Sequence, residues 1–184
     1  MIVVTILPIG WVDEGVLSVL CEALQKIFPK VRAVIARRSV PVPEGSYSRI
    51  RGQYESTKIL MELYEIFRGA PMDRVLGVTS VDLFVPGLNF VFGEAQCPGK
   101  VALISLYRLR PEYYGDLPDR SLFFERAKKE AVHELGHTFG LHHCKNSRCV
   151  MSFSNSIAET DAKGLGFCNE CAQRLRSKLE WPWL

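Results

Sequence analysis

The stretch AVHELGHTFGLHHC, Ala131 to Cys144, decides how the rest of the chain is read. It sets His133, Glu134, His137, Gly140 and His143 in the pattern His-Glu-x-x-His-x-x-Gly-x-x-His. On an α-helix four residues advance about 400°, so His133 and His137 fall roughly 40° apart, one turn along the same face. Two imidazoles so placed can reach one metal ion. Glu134, beside the first, is placed to polarise a metal-bound water rather than to bind the ion. His143 cannot continue that helix, because six residues rotate about 600° and would aim it away from the ion. The helix must therefore stop and the chain turn back, and Gly140 is the residue type that permits a positive φ there. Three neutral imidazoles leave a fourth position open, which is the catalytic form of a zinc site. Two helical histidines alone would also suit an apolar core. The Glu, the Gly and the third His at the required offsets select the metal reading. His142 falls off the spacing and is assigned to the surroundings of the site or to the surface.

A second constellation begins at the next residue. Cys144 is followed by Cys149 and then by Cys168-Asn169-Glu170-Cys171. The C-x-x-C pair is a chelating unit, and with Cys144 and Cys149 it makes a four-thiolate set. Four thiolates close a tetrahedral shell, so this site is expected to be structural, tying the segment after His143 to a C-terminal helix over Glu170 to Leu179. Four Cys also suit an iron–sulfur cluster. No electron-transfer feature accompanies them, and zinc is preferred. The expectation is two zinc ions per chain.

The remainder is ordinary globular sequence: 184 residues, 47% hydrophobic and 23% charged, with a net charge of +3. That length suits one domain. The expected division is an upper part, residues 1–140, with a sheet and the metal helix, and a lower part, residues 141–184, with the third ligand, the four cysteines and the last helix. The charge is too small, and the basic residues too scattered, to indicate nucleic acid or an anionic membrane. No stretch is long and apolar enough to span a membrane. The opening MIVVTILPIG lacks a basic flank and reads as a strand rather than a signal peptide. Four of six cysteines are clustered at metal spacing, which fits a reducing, cytoplasmic setting better than a disulfide framework. A monomer is expected.

Taken in order, Ile2 to Leu7 reads as a buried strand ended by Pro8. Asp13 caps a helix through Val16, Leu17, Leu20, Leu24 and Phe28, stopped by Pro29, and Val31 to Ala36 forms a second, parallel strand. Arg37 to Arg51 reads as a loop. Ser56 or Thr57 is expected to cap a helix carrying Ile59, Leu60, Leu63, Ile66 and Phe67. Val75 to Val81, Asn89 to Phe92 and Val101 to Leu106 read as strands, the last two joined by a turn at Pro98-Gly99. The strand over Asn89 to Phe92 is either an edge above the metal cleft, open to an extended peptide, or an ordinary hairpin arm. Cys97, in the same connection, is either a plug for the cleft or a plain loop residue. Asp119 is the expected cap of the metal helix, with Ala131 and Leu135 facing away from the histidines.

These residues resemble a family. His-Glu-x-x-His-x-x-Gly-x-x-His followed by a Met-containing turn is the metzincin signature. Cys144 directly after His143, then Cys149-Val150-Met151 and Cys168-x-x-Cys171, is similar to the archaemetzincins, zinc metallopeptidase-like proteins in their short archaeal form. The resemblance implies an α+β, zincin-like fold. Its sheet would be mixed and mostly parallel with one antiparallel edge strand, joined by a long active-site helix, a Met-turn and a C-terminal helix. It implies that His133, His137 and His143 hold a catalytic zinc, Glu134 is the general base, and Met151 lies in the turn under the ligands. Cys144, Cys149, Cys168 and Cys171 would hold the second zinc. Astacin- and serralysin-like metzincins place a Tyr two residues after the Met; here that residue is Phe153, which has no donor. Part of the family suggests an aminopeptidase preference.

Two functions follow from these readings. The first is a metallopeptidase acting on peptides or proteins through Glu134 and a zinc-bound water. The alternative is a zinc-stabilised module that binds a peptide or partner with little or no turnover. An intact Glu134 favours the first, since a binder has no use for a base there.

Overall fold

The computed structural model describes residues 1–70 and 72–180. Strand β1 (Ile2–Ile9), helix α1 (Glu14–Ile27) and strand β2 (Val31–Ile35) open the chain as a β-α-β unit, with β2 parallel to β1. Asp13 caps α1 by accepting from the Val16 N–H at 3.2 Å. Val16, Leu17, Leu20 and Leu24 form its buried stripe. There follow β3 (Tyr47–Ser48), β4 (Gln53–Glu55), α2 (Ser56–Phe67), β5 (Arg74–Thr79), β6 (Leu83–Phe84), β7 (Gly93–Ala95) and β8 (Val101–Ser105). The long helix α3 (Arg120–Thr138) precedes the short α4 (Ile157–Ala162) and α5 (Asn169–Glu180). None of the helices among the described residues is long and apolar enough to cross a membrane.

The main sheet has the order β2-β1-β5-β8-β7, parallel throughout except for the antiparallel edge strand β7. Both faces of its centre are covered, which is why β1 and β8 are near-continuous apolar runs. On one face Val4, Ile6, Val78, Ala102 and Ile104 pack with α1 and α3; on the other, Leu7, Ile9, Val75, Val101 and Leu103 pack under α2. The first of these clusters continues without a break through Leu141, Cys149, Val150, Met151, Cys171 and Leu175. The segment after His143 therefore contributes apolar packing of its own.

Several sequence expectations are corrected. Strand β1 does not stop at Pro8 but runs to Ile9. The Pro8 carbonyl accepts from Val40 N–H at 3.0 Å on the β2 side. The missing N–H therefore faces the region beyond the end of β2, where it breaks no ladder bond. The loop from Arg37 to Arg51 carries β3, part of a small sheet ordered β3-β4-β6. Helix α2 has no side-chain cap at its start. The hydroxyls of Ser56 and Thr57 instead donate to the carboxylate of Glu94, reached by Thr57 at 2.9 Å. An anion at a helix N-terminus does the same electrostatic work as a cap. The strand expected over Asn89 to Phe92 falls three to four residues later, at Gly93–Ala95. Val91 is held elsewhere, by a bridge to Leu83.

Candidate metal centre and cleft

Helix α3 begins with the Asp119 carboxylate accepting the Leu122 N–H at 2.9 Å. Ala127, Ala131 and Leu135 are fully buried on its core side. The helix ends at Thr138, and Gly140 adopts φ 79°, the left-handed turn that its position demanded. The chain reverses there and brings His143 to His133 and His137. The three ring centroids lie 4.7, 4.9 and 5.3 Å apart, and one nitrogen from each falls within 4.8 Å of the others.

Hydrogen bonding fixes which nitrogens face the centre. His133 Nδ1 donates to the Val150 carbonyl at 2.8 Å and His137 Nδ1 to the Leu141 carbonyl at 2.6 Å. Each ring then presents a bare Nε2 lone pair, and these two atoms stand 3.1 Å apart. Two acceptors at that distance repel unless a cation lies between them, so the donor set fits a metal ion. Burial lowers all three imidazoles: His133 falls well below its ordinary value and His137 to about 4, while half-exposed His143 moves in the same direction. The neutral form is the ligand form. His142 is exposed, its Nδ1 3.7 Å from the Cys97 thiol, and both residues line the cleft rim.

Glu134 is buried beside His133. Burial first, then the nearby Glu130 carboxylate, pushes its carboxyl well above the usual range; the Lys163 ammonium opposes the shift and Glu94 adds to it. Its position is defined by Gly93 of β7. A Cβ there would lie 2.6 Å from Glu134 Cγ and 2.7 Å from Glu134 Oε1. Met151 is fully buried, and a Cβ on Gly136 would lie 2.6 Å from its sulfur. Phe153 leans on His143, ring centroids 4.9 Å apart. Gly93, Gly136, Glu130 and Lys163 all escaped the sequence reading. Of these only Glu130 carried a signal, lying one helical turn before His133 and Glu134 on the same face.

The cleft, of about 680 Å³, runs between β7 with the segment before it and the segment after Met151. Phe92 and Gln96 hydrogen-bond to β8. By strand alternation, Gly93 and Ala95 direct their peptide groups outward. The second constellation also assembles. The Sγ atoms of Cys144, Cys149, Cys168 and Cys171 lie within 4.8 Å of one another. Backbone N–H groups of Asn146 and Cys168 point at the sulfurs of Cys144 and Cys149, at 3.4 and 3.3 Å. Burial raises the Cys149 and Cys171 thiols, and the other cysteines add to the rise at Cys171; Cys168 is lowered, first through the backbone N–H of Cys171. Four cysteine sulfurs converging in one partly buried cluster make a tetrathiolate donor set once deprotonated, so this set too fits a metal ion.

Against known proteins, residues 1–177 match the model of peptidase family M54. The chain belongs to peptidase family M54. It is 45% identical over 179 residues to the archaemetzincin of Pyrococcus furiosus, covering 96% of this chain and 93% of that one. The crystal structure of archaemetzincin from Methanopyrus kandleri superposes with a TM-score of 0.84 at 39% identity, covering 98% of this chain and 96% of that one. A zinc-dependent peptidase from Methanocorpusculum labreanum gives 0.82 at 31% identity, covering 94% and 99%. The fold is thus zincin-like, and this M54 chain is a zinc-dependent metallopeptidase.

Proposed function

We propose that this M54 peptidase hydrolyses peptide bonds at the three-histidine centre, with Glu134 as general base. The observation that carries the assignment is the pair of bare Nε2 atoms 3.1 Å apart with a buried carboxyl on the next residue. His133, His137 and His143 would hold a zinc ion, which when bound would supply Lewis acidity toward water and the scissile carbonyl. An oxygen of the Glu134 carboxylate takes the proton of the attacking water and passes it to the leaving amide nitrogen. Gly93 lets the edge strand close against that carboxylate and screen it from bulk solvent. The outward peptide groups of Gly93 and Ala95 favour an extended substrate laid alongside β7. Gly140 returns the third ligand to the site, and Met151 supports the ligands from below through Gly136.

The four thiolates form, in this reading, a second and purely structural zinc site, so that each chain carries two zinc ions. Residues 1–184 act as one domain, an upper part with the sheet and α3 and a lower part with the third ligand, the Met-turn and the thiolate site. All six cysteines are free of disulfides, which suits a monomeric protein of the reducing cytoplasm with peptides, rather than nucleic acid, as partners. An aminopeptidase preference is tested with a peptide pool, half with free and half with acetylated N-termini, given to the zinc-loaded protein. Cutting confined to free N-termini establishes the preference, and equal cutting of blocked peptides rejects it. No cutting of either half, with metal shown to be present, favours the binding module.

A further inference from the structure

Beyond the histidines, the cleft wall holds charge that the hydrolysis reading leaves unused. Lys163 caps the C-terminus of α4 and is only 2% exposed. Its Nζ lies 3.0 Å from Glu130 Oε1, and both side chains are almost fully buried. Thr160 donates to the same Glu130 oxygen at 3.3 Å. The ammonium makes this charge contact outside hydrogen-bonding geometry, so its donors have no acceptor within the described residues. Ser154, which also lines the cleft, carries a buried hydroxyl with no partner among the described residues. Both residues line the cleft together with Glu134 and the three histidines. A buried ammonium with unfilled donors is costly to keep. Fastening α4 to α3 does not require it, because Arg126 already grips Asp161 through two bonds at 2.7 and 2.6 Å and Lys129 holds the carbonyls of Thr160 and Asp161.

We propose that Lys163 and Ser154 form an anion-recognising subsite in this wall, which takes the side-chain carboxylate of a Glu or Asp residue of the peptide substrate. The subsite rests on the peptidase reading for its cleft and adds the substrate class. A carboxylate has the lone pairs to fill an ammonium and a hydroxyl at once, whereas a Gln side chain offers one oxygen and no charge. Glu130 stands 3.0 Å from the Lys163 ammonium and supplies its counter-charge when no substrate is present.

The test reads binding, so that it stands apart from turnover. Peptides blocked at both ends, matched as Glu and Gln at each position in turn, are titrated calorimetrically into zinc-loaded Glu134→Ala protein. At one position Glu should bind at least about tenfold tighter than Gln, the scale of one charge-assisted contact. The preference should fall to within about twofold on adding Lys163→Met and weaken on adding Ser154→Ala. If Lys163→Met alone fails to fold because Glu130 is left bare, the double change Lys163→Met/Glu130→Leu removes both charges and carries the same expectation. No Glu preference at any position, or a preference that survives the loss of Lys163, overturns the subsite. Neutral peptides cut by the wild-type protein would still uphold hydrolysis in that case, and failure to cut any peptide would leave the binding result standing.

Discussion

Gly93 shows how much a single missing methyl group decides at this site. Its absent Cβ is the space in which the Glu134 carboxylate lies, with Leu103 O 2.7 Å away on the other side. Leu103 O is strand backbone and cannot yield, so an added methyl group must push the Glu134 side chain aside. Gly93→Ala should therefore lower kcat on the order of 100-fold, the cost of displacing a catalytic group by about 1 Å. Metal content should be unchanged. A variant with wild-type kcat would show that Glu134 is not held by this contact. Gly136 is the matching case below the ligands. Gly136→Ala drives a methyl group into the Met151 sulfur and should destabilise the fold by about 1–3 kcal/mol, measured by denaturant unfolding. Neither glycine could be singled out from the sequence, because what each one touches comes from an element far along the chain. The histidines could, because helical periodicity alone puts His133 beside His137 and forces the turn at Gly140.

At the scale of elements, α3 was legible almost in full: its cap at Asp119, its core side at Ala131 and Leu135, and its end before Gly140. The edge strand was not. Asn-Phe-Val-Phe looks like a strand, but Val91 bonds to Leu83, and pairing with β8 passes to Gly-Glu-Ala, which has weak strand propensity. Tertiary pairing overrode local preference there. The thiolate cluster joins the turn after His143 to the start of α5, so its loss should loosen both. Cys171→Ser should cut bound zinc from two ions per chain to one and lower Tm, read by elemental analysis and thermal unfolding. Retention of two ions would exclude Cys171 as a ligand.

The buried imidazoles also set a pH dependence in the metal-free protein. His133 and His137 titrate below their unfolded value near 6.5, His137 at about 4. The unfolded chain therefore binds more protons across that window, and these groups lower stability as pH falls from about 6.5 towards 4. Glu134, raised above its unfolded value, works in the opposite sense and loses stability as pH rises. In metal-free Glu134→Gln protein the histidine effect should stand alone, with Tm climbing between pH 4 and 6.5 and then levelling. A flat or falling Tm over that range would contradict neutral burial of the histidines.

Across the whole molecule, the β-α-β opening, the parallel sheet and the crossing metal helix follow from apolar runs and caps that the sequence displays. The small sheet ordered β3-β4-β6 and the buried Lys163–Glu130 pair do not. Both depend on polar or very short segments whose partners only the folded chain supplies. Two clusters of metal-ligand type stand apart in the fold. The three histidines open to a cleft with a carboxylate beside them, and the four cysteines pack against the core. The most direct measurement is the peptide cleavage rate of a Glu134→Gln variant beside its metal content. Two zinc ions retained and a rate reduced by a factor on the order of 100 to 10,000 is the expected result for loss of the general base. A variant that keeps its zinc and cleaves at the wild-type rate would contradict catalysis through Glu134.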